Sequence, residues 1–470
     1  MGFIVNPLLL GGLGPVLFGV WKSLQRYLDF ATVADGRASQ ALKWIVAHRS
    51  KLTDDERRRD IGGAVVIWFR WLPAAVLVAV AIAIGAPLLV KGIPVEARSV
   101  SQIAAAVLAA NTVLAGLLAL PDSVLNGTNQ GYRSMLINTI VFTISNILMV
   151  VAAYAGLSLW SLAVIVLVMA VLNAACTLLV ARRCVPWWGI NRPTAADIRR
   201  MQGYTAWTLG WVVVDKLLLA CELIIISIML GAVYVTKYTF TSYVMQFVIS
   251  IALVTASGFM PALGSQLGAS QHSDAATRAK SVRHLVIAVA ALGGSAVLAF
   301  NQLFVSVWAG ASQFLGPALN ALLVLSGLQV ALIRMDGQIL DVTLRIAPKV
   351  TLGFVSCVGG ILAGCLAYSL AGNLSIALIA VIAVRMISSI GFPVLVARSI
   401  HGSGVPKRAI MLSIALLAVS LCLGQTINPH QPLMTGFTVA AWLALTCALC
   451  WFGIVPRDTI REIVFRKPLT

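Results

Sequence analysis

The stretch LWSLAVIVLVMAVLNAACTLLVA, residues 159–181, decides the fold. It runs for 23 residues without a charged side chain. As a helix rising about 1.5 Å per residue it exceeds the roughly 30 Å hydrocarbon core of a bilayer. Its apolar residues do not alternate, which excludes a barrel strand. Residues 71–90, WLPAAVLVAVAIAIGAPLLV, read the same way.

The rest of the chain extends this reading. Of 470 residues, 60% are hydrophobic and 11% charged, and the mean hydropathy is +0.94. Soluble domains carry roughly 25% charged residues. Lipid instead demands that every backbone polar group be satisfied internally, so helices span. The opening MGFIVNPLLLGGLG has no basic n-region and no small-residue cleavage site, so no cleavable signal peptide is expected.

Helices are expected near 1–13, 14–48, 61–90, 101–120, 135–154 and 159–181, then near 204–230, 232–256, 281–307, 316–332, 350–370 and 374–397. Two more are expected near 409–424 and 434–455. With fourteen spans the connections alternate between two sides. One side then holds 25 of the 34 Lys and Arg residues, and the opposite side only Lys91 and Arg98. The positive-inside rule places the basic side and both termini in the cytoplasm of a multi-pass cell (inner or plasma) membrane protein. The net charge of +18 follows from this asymmetry and does not call for nucleic acid. Runs such as Arg57-Arg58-Arg59 read as topology signals ahead of a lipid-headgroup site.

Chemistry-bearing motifs are sparse. Cys447 and Cys450 form a C-x-x-C inside an apolar run, and the five histidines lack ligand spacing, so neither a metal nor a cofactor is expected. Neither a Walker A loop nor a G-x-S-x-G occurs, which argues against an ATPase and a hydrolase. A membrane-embedded glycosyltransferase or polymerase would need large outward loops, and those here are about ten residues or fewer.

Short matches recur at one offset. LGPVLFGVW (Leu13–Trp21) matches LGAVYVTKY (Leu230–Tyr238) 217 residues on, and LNGT (Leu125–Thr128) matches LDVT (Leu340–Thr343) at 215. The expected fold is all-α and polytopic, with about fourteen transmembrane helices. Two pseudo-symmetric six-helix lobes surround a central cavity, with two extra C-terminal helices. Six is even, so the repeats are parallel. The lobes are expected at 1–200 and 201–400, with helices 13 and 14 and a basic tail at 401–470. Helix 1 has half the residues of its repeat partner before the Leu-Gly, which predicts either a start upstream of Met1, the preferred reading, or a helix 1 that is short in this chain.

Ionisable residues at bilayer depth are costly and usually face a cavity. In helix 2, Lys22, Arg26, Asp29, Val33, Arg37 and Gln40 share a face at helical spacing. The same face in helix 8 carries Thr239, Tyr243, Gln246 and Ser250. The simplest arrangement sets the two polar stripes across a wet cleft, with Lys22, Arg26 and Arg37 as anion contacts. The competing reading lays helix 2 in the membrane interface. Asp29, one turn from Arg26, is a candidate partner for it. Asp35, Asp215 and Glu222 are candidate ion-coupling carboxylates. For Glu222 a counter-charge role for Arg26 is preferred. Arg385, near mid-span, is a candidate cavity residue from the second lobe.

These residues resemble a family. LGPVLFGVW, Val33-Ala34-Asp35-Gly36, Val124-Leu125-Asn126-Gly127 and Glu222-Leu223-Ile224-Ile225 with Leu230-Gly231 and Tyr238 are similar to motifs of Wzx-type polysaccharide flippases. That family belongs to the multidrug/oligosaccharidyl-lipid/polysaccharide exporter superfamily. Glu222 stands where Asp is usual, and Lys237 where a small residue is common. The resemblance implies a cavity lined by helices 1, 2, 7 and 8. It also implies transfer of an undecaprenyl-diphosphate-linked oligosaccharide between leaflets. Expected partners are that substrate, membrane lipids and polysaccharide polymerase machinery. The alternative is a cation-coupled multidrug exporter of the same fold, against which the cationic excess argues.

Overall fold

The computed structural model describes residues 2–32, 38–48, 53–91, 93–128, 130–203, 206–268, 271–343, 346–426 and 432–449. The chain is an all-α, polytopic membrane protein, with no strand among the described residues. The helices are α1 (Gly2–Ala31), α2 (Ala38–His48), α3 (Asp54–Leu89), α4 (Val95–Leu118), α5 (Leu120–Gly127), α6 (Gly131–Tyr154), α7 (Leu159–Cys184), α8 (Ala195–Gly203) and α9 (Ala206–Met229). They continue as α10 (Ala232–Ser257), α11 (Met260–Gly268), α12 (His272–Trp308), α13 (Pro317–Val342), α14 (Ile346–Ala371), α15 (Leu374–Ser399), α16 (Lys407–Thr426) and α17 (Pro432–Leu449).

Two compact units form. Unit 1 is 1–216 with 226–236, and unit 2 is 217–225 with 237–470. In unit 1, α4 packs on α3 and α7, and α1 packs on α3 and α6. In unit 2, α15 packs on α13 and α14, and α12 on α13 and α16. The core is mostly apolar, and the surface is apolar as well, as contact with lipid requires. Leu77, Val254 and Leu370 stand exposed, while Ser101, Ser295 and Ser388 are buried. Buried hydroxyls return to their own helix, as Thr112 does to the Leu108 carbonyl at 2.9 Å.

Among the described residues, eleven helices are long and apolar enough to cross a membrane, against the fourteen expected. Three causes account for the difference. The first two expected helices are joined in α1 across a break at Gly14. In α9, Asp215, Lys216 and Glu222 interrupt an otherwise apolar span. In the last helix, α17, the apolar stretch is Gly436–Ala448, too short to count as a span. Of the expected helix 2, α1 covers the chain to Ala31 and α2 runs from Ala38 to His48, with 33–37 outside the described residues. One further expectation needs correction. Helix 3 begins at Asp54 rather than 61. A capping box closes it: the Thr53 amide and hydroxyl both reach the Glu56 carboxylate, at 3.1 and 2.8 Å.

The internal repeat has counterparts in the backbone. Both ends of α7 and α15 are offset by 215, at 159 and 374 and at 184 and 399. Thr128 and Thr343 cap α5 and α13, and their hydroxyls return to the Leu125 and Leu340 carbonyls at 3.1 and 2.8 Å. Gly14 and Gly231, the glycines of the two Leu-Gly motifs, have φ of +73° and +95°. Side chains rarely adopt that region, so each glycine lets the helix break where the motif places it. In the first motif Gly19 serves close approach: a Cβ there would lie 1.9 Å from the Ala232 carbonyl oxygen.

Candidate functional site

In unit 1 the sequence-predicted cations lie on the second half of α1. Lys22 and Arg26 are half-buried, one turn apart, and the Lys22 ammonium lies 5.4 Å from the Phe18 ring centroid. Asp29 does not pair with Arg26, as its spacing suggested. Its carboxylate takes the Lys216 ammonium of α9 at 2.6 Å. A cation brought into direct contact by another helix thus takes the place of the one a turn away on the same helix. Tyr27 on the neighbouring face is hydrogen-bonded to Ser227, which ties α1 to α9. Arg37 and Asp35 lie outside the described residues, as does Val33.

In unit 2 the centre of the site is Glu222 on α9. One carboxylate oxygen accepts from Arg385 of α15 at 2.9 Å and from the Ser326 hydroxyl of α13. Arg385 donates to Ser326 as well, at 2.5 Å. All three side chains are buried. Glu222 is thus paired with Arg385 and not with Arg26, the partner expected. Arg385 is held within this triad rather than open to a cavity. Both corrections share one reason: two opposite charges buried in one unit satisfy each other at far lower cost than either alone.

Beside Glu222 is a small cavity lined in part by Tyr238, Ser242 and Gln246. Gln246 donates to the Ser242 hydroxyl at 3.0 Å. Of the expected stripe on α10, Gln246 thus reaches this cavity, Tyr243 packs on Trp308 with ring centroids 4.8 Å apart, Thr239 is half-buried and Ser250 is exposed. Asp215 is half-buried on α9. Reasoning from the sequence missed Ser326 and Ser242, which are ordinary helix serines until the fold sets them around Glu222. No group of His, Cys, Asp and Glu suited to a metal occurs among the described residues, where Cys447 is free; Cys450 lies outside them.

A family model described as "Polysaccharide biosynthesis protein" matches residues 52–292, half of the chain. The chain belongs to that family. No curated protein matches this member of the polysaccharide biosynthesis family. Its fold is similar to solved transporter structures. The lipid II flippase MurJ, in an inward closed conformation, aligns over 99% of this chain and 97% of its own, with a TM-score of 0.66 and 11% identity. An inward-facing multidrug resistance MATE family transporter of the MOP superfamily covers 84% and 93%, with a TM-score of 0.65 and 15% identity. A MOP superfamily transporter from Pyrococcus furiosus covers 84% and 90%, at 0.53 and 17%. At these identities the likeness establishes the fold. This polysaccharide biosynthesis protein has the fold of the multidrug/oligosaccharidyl-lipid/polysaccharide exporters, in agreement with its resemblance to Wzx-type flippases.

Proposed function

We propose that this protein flips a polyprenyl-diphosphate-linked oligosaccharide from the inner to the outer leaflet of the cell membrane, for cell-surface polysaccharide biosynthesis. The observation that carries the proposal is the charge balance on α1. Lys22 and Arg26 stand half-buried in an apolar span, while the nearby carboxylate, Asp29, is already matched by Lys216. An anion is the complement of such a face. A diphosphate offers several charge-assisted contacts, which strengthen where water is partly excluded. Arg37 is proposed as a third contact and the polar face of α10, with Thr239, Tyr243 and Gln246, as a sugar contact.

Family membership supports a role in polysaccharide biosynthesis. The likeness to a lipid II flippase supports a lipid-linked substrate, and it spans 99% of the chain. The Pyrococcus furiosus relative is described by a binding pocket of reversed polarity, which supports pocket charge as the feature this fold varies. The likeness to multidrug resistance transporters favours a second reading, a cation-coupled exporter. That reading needs a carboxylate open to a cation, and the Glu222 oxygen that meets Arg385 and Ser326 is engaged.

Both termini and the loop 49–60 are proposed to be cytoplasmic, and the two lobes to run over 1–200 and 201–400 as parallel repeats. Deleting the gene should cause a lipid-linked oligosaccharide to accumulate unextended at the inner leaflet. Purified protein in vesicles should move that lipid between leaflets. Accumulation of an earlier, incomplete sugar would point to a transferase instead. Reporter fusions at Asp55 and Pro429 should report opposite sides, and the same side for both would refute the orientation.

A further inference from the structure

Away from α1, the ends of α2, α5 and α7 and the start of α3 enclose a half-open cavity of about 250 Å³ within unit 1. Its wall includes Val46, Arg57, Thr128, Gln130, Pro186 and Trp187. The Arg57 guanidinium lies 5.3 Å from the Trp187 ring centroid. Arg58 donates to the Trp187 carbonyl at 3.1 Å, which fixes the loop that carries the indole. Gln130 donates its amide nitrogen to the Cys184 carbonyl at 3.3 Å. Its other atom, Oε1, is buried with no hydrogen-bond partner among the described residues.

These groups define a ligand. A cation would be repelled by Arg57, and an apolar tail would leave the Gln130 oxygen unsatisfied, a costly state for a buried acceptor. An anion that also carries a hydroxyl uses both. Asp54, one turn before Arg57, lies 4.0 Å from it and is mostly exposed, so water screens this contact. Arg182 and Arg183 stand exposed at the end of α7, beside the cavity wall. The cavity lies where several spans end, the depth at which headgroups sit and basic side chains meet anionic lipid.

We propose that this cavity binds the headgroup of an anionic phospholipid bearing a hydroxyl, of the phosphoglycerol type. Arg57 holds a phosphate oxygen, Gln130 Oε1 accepts the headgroup hydroxyl, and the Trp187 ring packs on its carbons. The arginine run at 57–59, a topology signal in the sequence, thereby acquires a binding role.

Native mass spectrometry of the full chain in detergent tests this, with phosphatidylglycerol titrated against phosphatidylcholine and inorganic phosphate added as competitor. The wild type should retain one phosphatidylglycerol in preference to phosphatidylcholine. Arg57→Gln and Gln130→Leu should each weaken that binding by about tenfold, the loss of one charge-assisted or buried hydrogen bond. Arg57→Lys should keep most of it. Elution volume and Tm check that each variant is folded, and if Arg57→Gln is not, Gln130→Leu decides alone. Wild-type lipid retention by the folded variants, or no preference over phosphatidylcholine, overturns the proposal. Displacement of the lipid by millimolar inorganic phosphate assigns the site to a soluble phosphate and overturns the lipid source.

Discussion

The two units hold their charges in different ways. In unit 2, Arg283 and Asp336 meet at 2.9 Å with side chains 2% and 3% exposed, and Arg283 also donates to the Ser403 carbonyl. Arg385 and Glu222 meet at 2.9 Å, 1% and 6% exposed. Lys349, fully buried, donates to the Gly337 carbonyl at 3.1 Å and pairs with Asp341, which at 43% exposed makes this pair intermediate. In unit 1 a pair within the transmembrane helices, Lys216 with Asp29, is 16% and 44% exposed. A dry pair is a fixed clamp, since breaking it strands a charge in low dielectric. A hydrated pair can exchange partners as an anion arrives and leaves. A transport site needs the second kind, and a scaffold tolerates the first.

The largest effect that tests this contrast is on stability. Arg385→Met should strand Glu222 and lower stability by about 3–5 kcal/mol. Thermal unfolding in detergent reads it. Adding Glu222→Gln should recover most of the loss, because no charge is then left buried. A single variant as stable as wild type would remove the distinction between the units.

The next effect is on transport rather than stability. Lys22→Ala and Arg26→Ala should each cost about 1.5–3 kcal/mol of substrate binding, roughly tenfold or more in affinity, at normal protein levels. Arg26→Lys should restore part of the activity, because a moving diphosphate needs charge more than a fixed fork. Full complementation by the Lys22/Arg26/Arg37 triple alanine variant would show that this face meets something other than substrate.

The smallest effect sharpens the comparison. A double-mutant cycle on Asp29→Asn and Lys216→Gln should give a coupling of about 0.2–1 kcal/mol that weakens as salt is added. A coupling as large as that of Arg385 with Glu222, insensitive to salt, would mean that both units clamp their charges alike.

Much of the fold was legible in the sequence. The expected 135–154, 159–181, 232–256, 350–370 and 374–397 lie within a few residues of α6, α7, α10, α14 and α15. Helix formation in lipid depends on local hydropathy, which a window of sequence contains. The start of α3 was legible too, in Thr53-Asp54-Asp55-Glu56, but the charges there read as a loop. The same bias hid α12, which runs back to His272 through charged residues beyond the apolar core. The face Lys22, Arg26, Asp29 followed from helical periodicity alone.

Composition and periodicity thus determined that this protein lives in a membrane, where its main spans lie, and that α1 carries cations on one face. Only the tertiary structure decided which charges neutralise each other. Glu222 finds Arg385 across 163 residues of chain, and Arg283 finds Asp336 across 53. Periodicity reports neighbours on one helix, whereas the cost of burying a charge is met by whatever helix packs alongside, and that is a property of the fold.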